Sequence, residues 1–110
     1  MNYPPKEKDP GCLTIPCVLN GCDIGEAMID SGASINMLPK KFVTKYKGMV
    51  LKPSNVTVTM ADGSIIEPLG MVKNVVVRVE QLELLVNFIV MNVENEEKIP
   101  VILGRPFMAT

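Results

Sequence analysis

The sequence predicts an all-β domain with one short helix, on three observations. β-Prone runs of six to ten residues recur along the chain, separated by turn pairs such as Asn20-Gly21 and Asp62-Gly63. Helical spacing of apolar residues appears in one short stretch, at Leu38, Phe42 and Tyr46. Apolar residues make up 47% and charged residues 21% of 110 residues, which suits a single domain with a modest core.

Residues 1–10 hold three prolines, two lysines, Glu7 and Asp9 with little to bury, and read as a flexible linker before a domain over 11–110. Leu13 to Leu19 is a first strand, in which Pro16 demands an edge or an irregularity. After the Asn20-Gly21 turn, Ile24 to Ile29 returns as a second strand, weakened or bent at Gly25. Pro39 fits the first turn of the helix, whose inward face is Leu38, Phe42 and Tyr46, and Gly48 ends it. Val56 to Met60 and Ile65 onward form the best hairpin in the chain, turning through Ala61-Asp62-Gly63-Ser64. Asp62 there is a turn former rather than an acid–base group, since Asp-Gly is the favoured pair. Met71 to Val79 follows, with Val75, Val77 and Val79 on one face. Leu82 to Val93 is apolar on both faces and is expected to be central and buried. An acidic surface loop over 92–98 leads to the closing run Ile99 to Pro106.

Composition excludes several chemistries. The net charge is -1 and the lysines at 40, 41, 45 and 47 read as one solvated face, so nucleic acid is not expected as a partner. The apolar run Leu84 to Met91 is far too short to cross a bilayer, and no membrane association is expected. No histidine is present, which removes Ser-His-Asp and Cys-His nucleophile systems and most zinc hydrolase sites. Cys12, Cys17 and Cys22 lie five residues apart; an odd count with no signal-peptide pattern reads as reduced thiols in the cytoplasm. Carboxylate chemistry remains.

It points to one stretch, Met28-Ile29-Asp30-Ser31-Gly32-Ala33-Ser34. Two apolar residues run into a lone carboxylate, then a hydroxyl, a glycine and two more small residues. An Asp at the end of a buried strand is costly unless hydrogen bonds or function hold it there. Asp-[Ser/Thr]-Gly alone arises by chance in roughly one chain in twenty of this length, and the full heptad in about one in a thousand or fewer. Read by itself, the stretch also fits a strand followed by an Asx-type turn capped by Asp30.

Two distant pieces together, this loop and the apolar-apolar-Gly-Arg of Ile102-Leu103-Gly104-Arg105, resemble the retropepsin-type aspartic proteases of retroviruses and long-terminal-repeat retrotransposons. The wording S-I-N-M-L-P after the loop and V-I-L-G-R-P-F-M-A-T at the end is similar to the protease region of plant gypsy-type retrotransposon polyproteins. The resemblance implies a retropepsin-like closed β-barrel or sandwich. It makes Asp30 the catalytic aspartate of an endopeptidase that processes a polyprotein, with no cofactor or metal. Ser31 would bond backbone across a dimer axis. Gly32, Ala33 and Ser34 would complete the loop, with the Gly32 carbonyl helping to position the substrate backbone. Ile102, Leu103 and Gly104 would support the loop from below, and Arg105 would pair with a nearby carboxylate. Met60, Ala61, Asp62, Gly63, Ser64 and Ile65 would belong to a flap closing over a peptide. The chain has four aspartates, at 9, 23, 30 and 62, and only Asp30 lies in this context, so a homodimer would supply the second carboxylate. The family usually continues past Gly-Arg into a helix and a strand of the dimer sheet. This sequence runs six residues past Gly104, which reads as a shortened C-terminus. A binding or dimerisation module without turnover is the alternative.

Overall fold

The computed structural model describes residues 12–46, 48–59, 63–92 and 101–109. The expected linker over 1–10, the hairpin tip at Met60, Ala61 and Asp62, and most of the acidic loop lie outside them. Eight strands are seen among the described residues: β1 (Cys12–Leu19), β2 (Cys22–Asp30), β3 (Met37–Pro39), β4 (Val58–Thr59), β5 (Ile65–Ile66), β6 (Gly70–Val79), β7 (Leu82–Met91) and β8 (Ile102–Leu103). Six close into a barrel in the order β1-β2-β8-β3-β7-β6, and β4 and β5 form a separate hairpin. The all-β expectation holds.

The turn chemistry accounts for the long hairpins. Asn20 and Gly21 take φ of +48° and +81°, as a two-residue turn between Leu19 and Cys22 requires. The Asn20 side chain also closes the barrel. Its Oδ1 accepts the Val76 N–H at 2.8 Å, and the Asn20 main-chain N–H donates to the Val76 carbonyl at 2.8 Å. Pro16 and Gly25 meet at one β-bulge, where the register slips between Pro16 and Val18. Gly25 has φ +82° there, and its N–H donates to Asp23 Oδ1 at 2.9 Å. A second bulge lies between Val72 and Val75 of β6. It moves the buried face from Val72 to Val75, Val77 and Val79, as the two-residue period of a strand demands. Asn74, at φ +60°, donates its N–H at this bulge to Asn87 Oδ1 at 3.0 Å. Asn87, the polar interruption in the apolar run of β7, thus satisfies a bulged backbone group.

Three expectations need correction. Met37 to Pro39 is a short strand pairing in parallel with Ile89 to Met91, so Pro39 does not open the helix and Leu38 is a barrel residue. The helix, α1, spans Lys41–Lys45, and Tyr46 is already extended. Phe42 is buried and stacks on Tyr46 at 5.3 Å between ring centroids, so two members of the expected stripe do meet. The second correction concerns β7, where Leu82 and Leu85 are 55% and 64% exposed. Only the part running beside β3 is covered on both faces, because β3 is just three residues long. Third, there is a second helix, α2 (Arg105–Met108), with Pro106 in its first turn. The sequence predicts one helix only; the closing run instead divides into a strand that ends at Leu103 and this second helix.

The barrel interior holds Leu19, Leu38, Phe88, Val90 and Leu103, all essentially inaccessible. Cys17 is 1% exposed and packs with them, whereas Cys22 is half-buried; both are free thiols. Burial, helped by the negative charge of Asp23, pushes the Cys17 thiol up to about 11. At pH 8, iodoacetamide should therefore label Cys22 and leave Cys17 unmodified in the folded protein, read by peptide mass spectrometry. Labelling of both at equal rates would contradict the packing. Because the folded thiol titrates above the unfolded one, the stability it contributes is full below the unfolded pKa. It is lost as pH rises toward 11.

Among the described residues, no helix is long and apolar enough to cross a membrane.

Candidate active site

Asp30 is the last residue of β2, and its strand is held from both sides. β1 pairs antiparallel with it (Cys12 opposite Asp30), and β8 pairs in parallel, Met28 with Ile102 and Ile29 with Leu103. The Met28 N–H donates to the Val101 carbonyl at 2.8 Å. The chain then turns sharply, with the Ala33 N–H donating to the Asp30 carbonyl at 3.1 Å. The Gly32 N–H donates to Asp30 Oδ1 at 2.9 Å, which orients the carboxylate. A Cβ on Gly32 would sit 3.3 Å from that oxygen, so the close approach favours glycine.

The Gly104–Arg105 turn clamps the far side of the loop. The Arg105 N–H donates to the Ala33 carbonyl at 3.0 Å, and its guanidinium Nη1 reaches the Ser31 carbonyl at 3.4 Å. Resemblance led to a carboxylate as the partner of Arg105; the bond seen is to main chain. Gly104 is packed so closely that a Cβ there would collide with the Ile35 carbonyl and lie 2.9 Å from the Ala33 carbonyl oxygen. Ile102 and Leu103 carry β8 beneath the loop, with Leu103 fully buried.

A cleft of about 250 Å³ opens over Asp30. Of the residues singled out from sequence, Asp30, Gly32, Ala33, Ser34 and Ile102 line it. Leu103 and Gly104 stand behind the loop, and Ser31 is exposed beside it. The hairpin reaches the cleft through Val58 and Thr59 of β4, which sequence reasoning left out of the flap. Gly63, Ser64 and Ile65 are exposed, Gly63 with φ +90° suited to a turn. Among the described residues no second aspartate is near: Asp23 sits at the opposite end of β2, about 20 Å away at the usual rise per residue.

Sequence reasoning also missed Asn36. It is 5% exposed, and its Oδ1 accepts the Gly104 N–H at 2.8 Å. The available signal was a single amide between Ile35 and Met37, since a polar residue in an apolar run is buried only with partners.

A family model described as aspartyl protease matches residues 15–107. Among solved structures, the chain is similar to EIAV protease in complex with the inhibitor HBY-793. The two share 15% identity over 94% of this chain and 91% of that one, with a TM-score of 0.72. No curated protein sequence matches. The structural likeness is one of fold: a mostly β closed barrel of six strands with short helices, as in retroviral proteases. Because the family match runs from the first hairpin through the Asp30 loop to Gly104 and Arg105, the chain belongs to the aspartyl protease family.

Proposed function

We propose that this chain is an aspartic endopeptidase whose site is completed by a second copy of itself. The observation that carries the reading is the Asp30 carboxylate, oriented by the Gly32 N–H at the mouth of an open cleft with no other described aspartate in reach. Hydrolysis of a peptide bond needs one group to take a proton from water and another to polarise the scissile carbonyl. Two Asp30 side chains across a two-fold axis provide both. At such a separation two carboxylates share one proton, so one acts as base and the other as acid. Water attacks the carbonyl carbon as the ionised carboxylate takes its proton, while the protonated partner donates to the carbonyl oxygen. The resulting tetrahedral species then collapses, with a proton returned to the leaving amine.

In this reading Ser31 bonds main chain across the axis and the Gly32 carbonyl receives the substrate backbone. Ala33, Ser34 and Ile102 bound the cleft, and the hairpin from Val58 to Ile66 covers the peptide. The S-I-N-M-L-P and V-I-L-G-R-P-F-M-A-T wording supports polyprotein processing in a plant gypsy-type retrotransposon as the setting. The free thiols of Cys17 and Cys22 fit a reducing compartment.

Peptide-library digestion at several protein concentrations, paired with sedimentation, tests the proposal. Specific activity should rise with concentration as dimer forms, and statine-containing peptides should inhibit it. A strict monomer at high concentration overturns the shared site. A dimer that binds peptides without cleaving them favours the binding-module alternative.

A further inference from the structure

Asn36 does more than fill a buried position. Its amide joins its own segment to two other parts of the fold: Oδ1 accepts the Gly104 N–H at 2.8 Å, and Nδ2 donates to the Asn87 carbonyl of β7 at 3.2 Å. Its own carbonyl accepts the Ile89 N–H at 2.9 Å. The orientation of the amide follows from chemistry, since the Gly104 N–H can only donate and the Asn87 carbonyl can only accept. The bond to Gly104 lies where water does not readily replace it, as Asn36 and Gly104 are both buried, while the bond to Asn87 is partly buried.

We infer that Asn36 is a positioning residue for Asp30, acting through the Gly104–Arg105 turn; the inference rests on the endopeptidase reading above. The route is short. Asp30 is tied to Gly32 and Ala33, the Ala33 carbonyl is held by the Arg105 N–H, and the preceding peptide N–H, at Gly104, is held by Asn36. The loop is therefore anchored at its middle by Arg105 and at its end by Asn36. Both anchors depend on the placement of one turn. Removing the amide leaves the Gly104 N–H without its acceptor, and the turn can relieve that only by moving. Any such movement carries the Ala33 anchor with it and displaces the carboxylate, while the cleft lining at Val58, Thr59 and Ile102 keeps its place. Misplacement of a reacting group by an ångström costs about a hundredfold in rate.

The test combines kinetics with residue-resolved hydrogen exchange in Asn36→Leu and Asn36→Asp. In Asn36→Leu, kcat should fall about a hundredfold with KM within about twofold. The amides of Gly32, Ala33 and Arg105 should exchange at least about tenfold faster, while the β6–β7 amides keep their protection. In Asn36→Asp the protonated carboxyl can both accept from Gly104 and donate to the Asn87 carbonyl, whereas the carboxylate cannot donate. Its kcat relative to wild type should thus recover as pH falls. Should Asn36→Leu not fold, this pH series with exchange at each pH carries the test. Unchanged loop exchange with unchanged kcat overturns the inference, as does a loss confined to KM. Wild-type protein without turnover removes the endopeptidase reading on its own; a loop that stays protected in the exchange data then removes the positioning role as well.

Discussion

Asp30→Asn should abolish peptide hydrolysis, with kcat/KM down at least about a thousandfold, because an amide can accept a hydrogen bond but cannot take a proton from water. The fold should be retained. Asp30 is half-buried at a strand end, and an Asn Oδ1 can still accept the Gly32 N–H. The more telling experiment is a mixture. If each site draws one aspartate from each of two copies, co-refolding equal amounts of wild type and Asp30→Asn leaves roughly one dimer in four with both carboxylates. Activity per total protein should then fall to about a quarter of that of wild type alone at the same total concentration. An aspartate that worked within its own chain would leave about half. The ratio thus separates a shared site from a private one without any structural measurement.

Gly104→Ala should destabilise the domain by about 3 kcal/mol, read as a lower midpoint in urea with an unchanged slope. The cause is steric alone. Gly104 has φ −94° and ψ −161°, an extended conformation open to any residue, so no backbone strain is involved. The added methyl instead meets the carbonyls of Ile35 and Ala33, both main-chain atoms in the loop that holds Asp30. They cannot step aside separately, and about 3 kcal/mol is a large share of the 5–15 kcal/mol usual for a domain. Gly25→Ala makes the contrast. No heavy atom lies within 4 Å of a Cβ there, but φ is +82°, so the cost is conformational and closer to about 1 kcal/mol. Similar losses at the two sites would refute the steric account of Gly104.

What could be read from the chain follows from how local each determinant is. The Asn20-Gly21 turn, the irregularity at Pro16 and Gly25, and the alternation of Val75, Val77 and Val79 are set by near neighbours, and each is found where expected. Pro39 falls in a strand and not in the helix because β3 exists only by pairing with β7 and β8, some fifty or more residues on; the hydrogen bond from Asn36 to Asn87, across 51 residues, has the same character. The exposed outer half of β7 was equally unreadable, since the extent of cover depends on the length of β3. The Asp30 loop and its Gly104 support stood out as motifs. Asn36, which links them, did not, because one buried amide becomes informative only once its partners are known.

The position of β8 has a consequence for the order of assembly. Only two residues long, it lies between β2 and β3, and the contacts it brings to the loop join residues 68 and 74 positions apart. Contacts of such separation form late, after the local hairpins β1–β2 and β6–β7 have paid little entropy to close. A chain emerging from synthesis has both hairpins and the Asp30 segment in hand well before Ile102 to Arg105 appear. Until those residues insert, Met28 and Ile29 have an unpaired edge and Ala33 lacks its Arg105 anchor. A nascent chain halted ahead of Ile102 is therefore a barrel with a missing stave, carrying its aspartate on a loop that nothing yet holds.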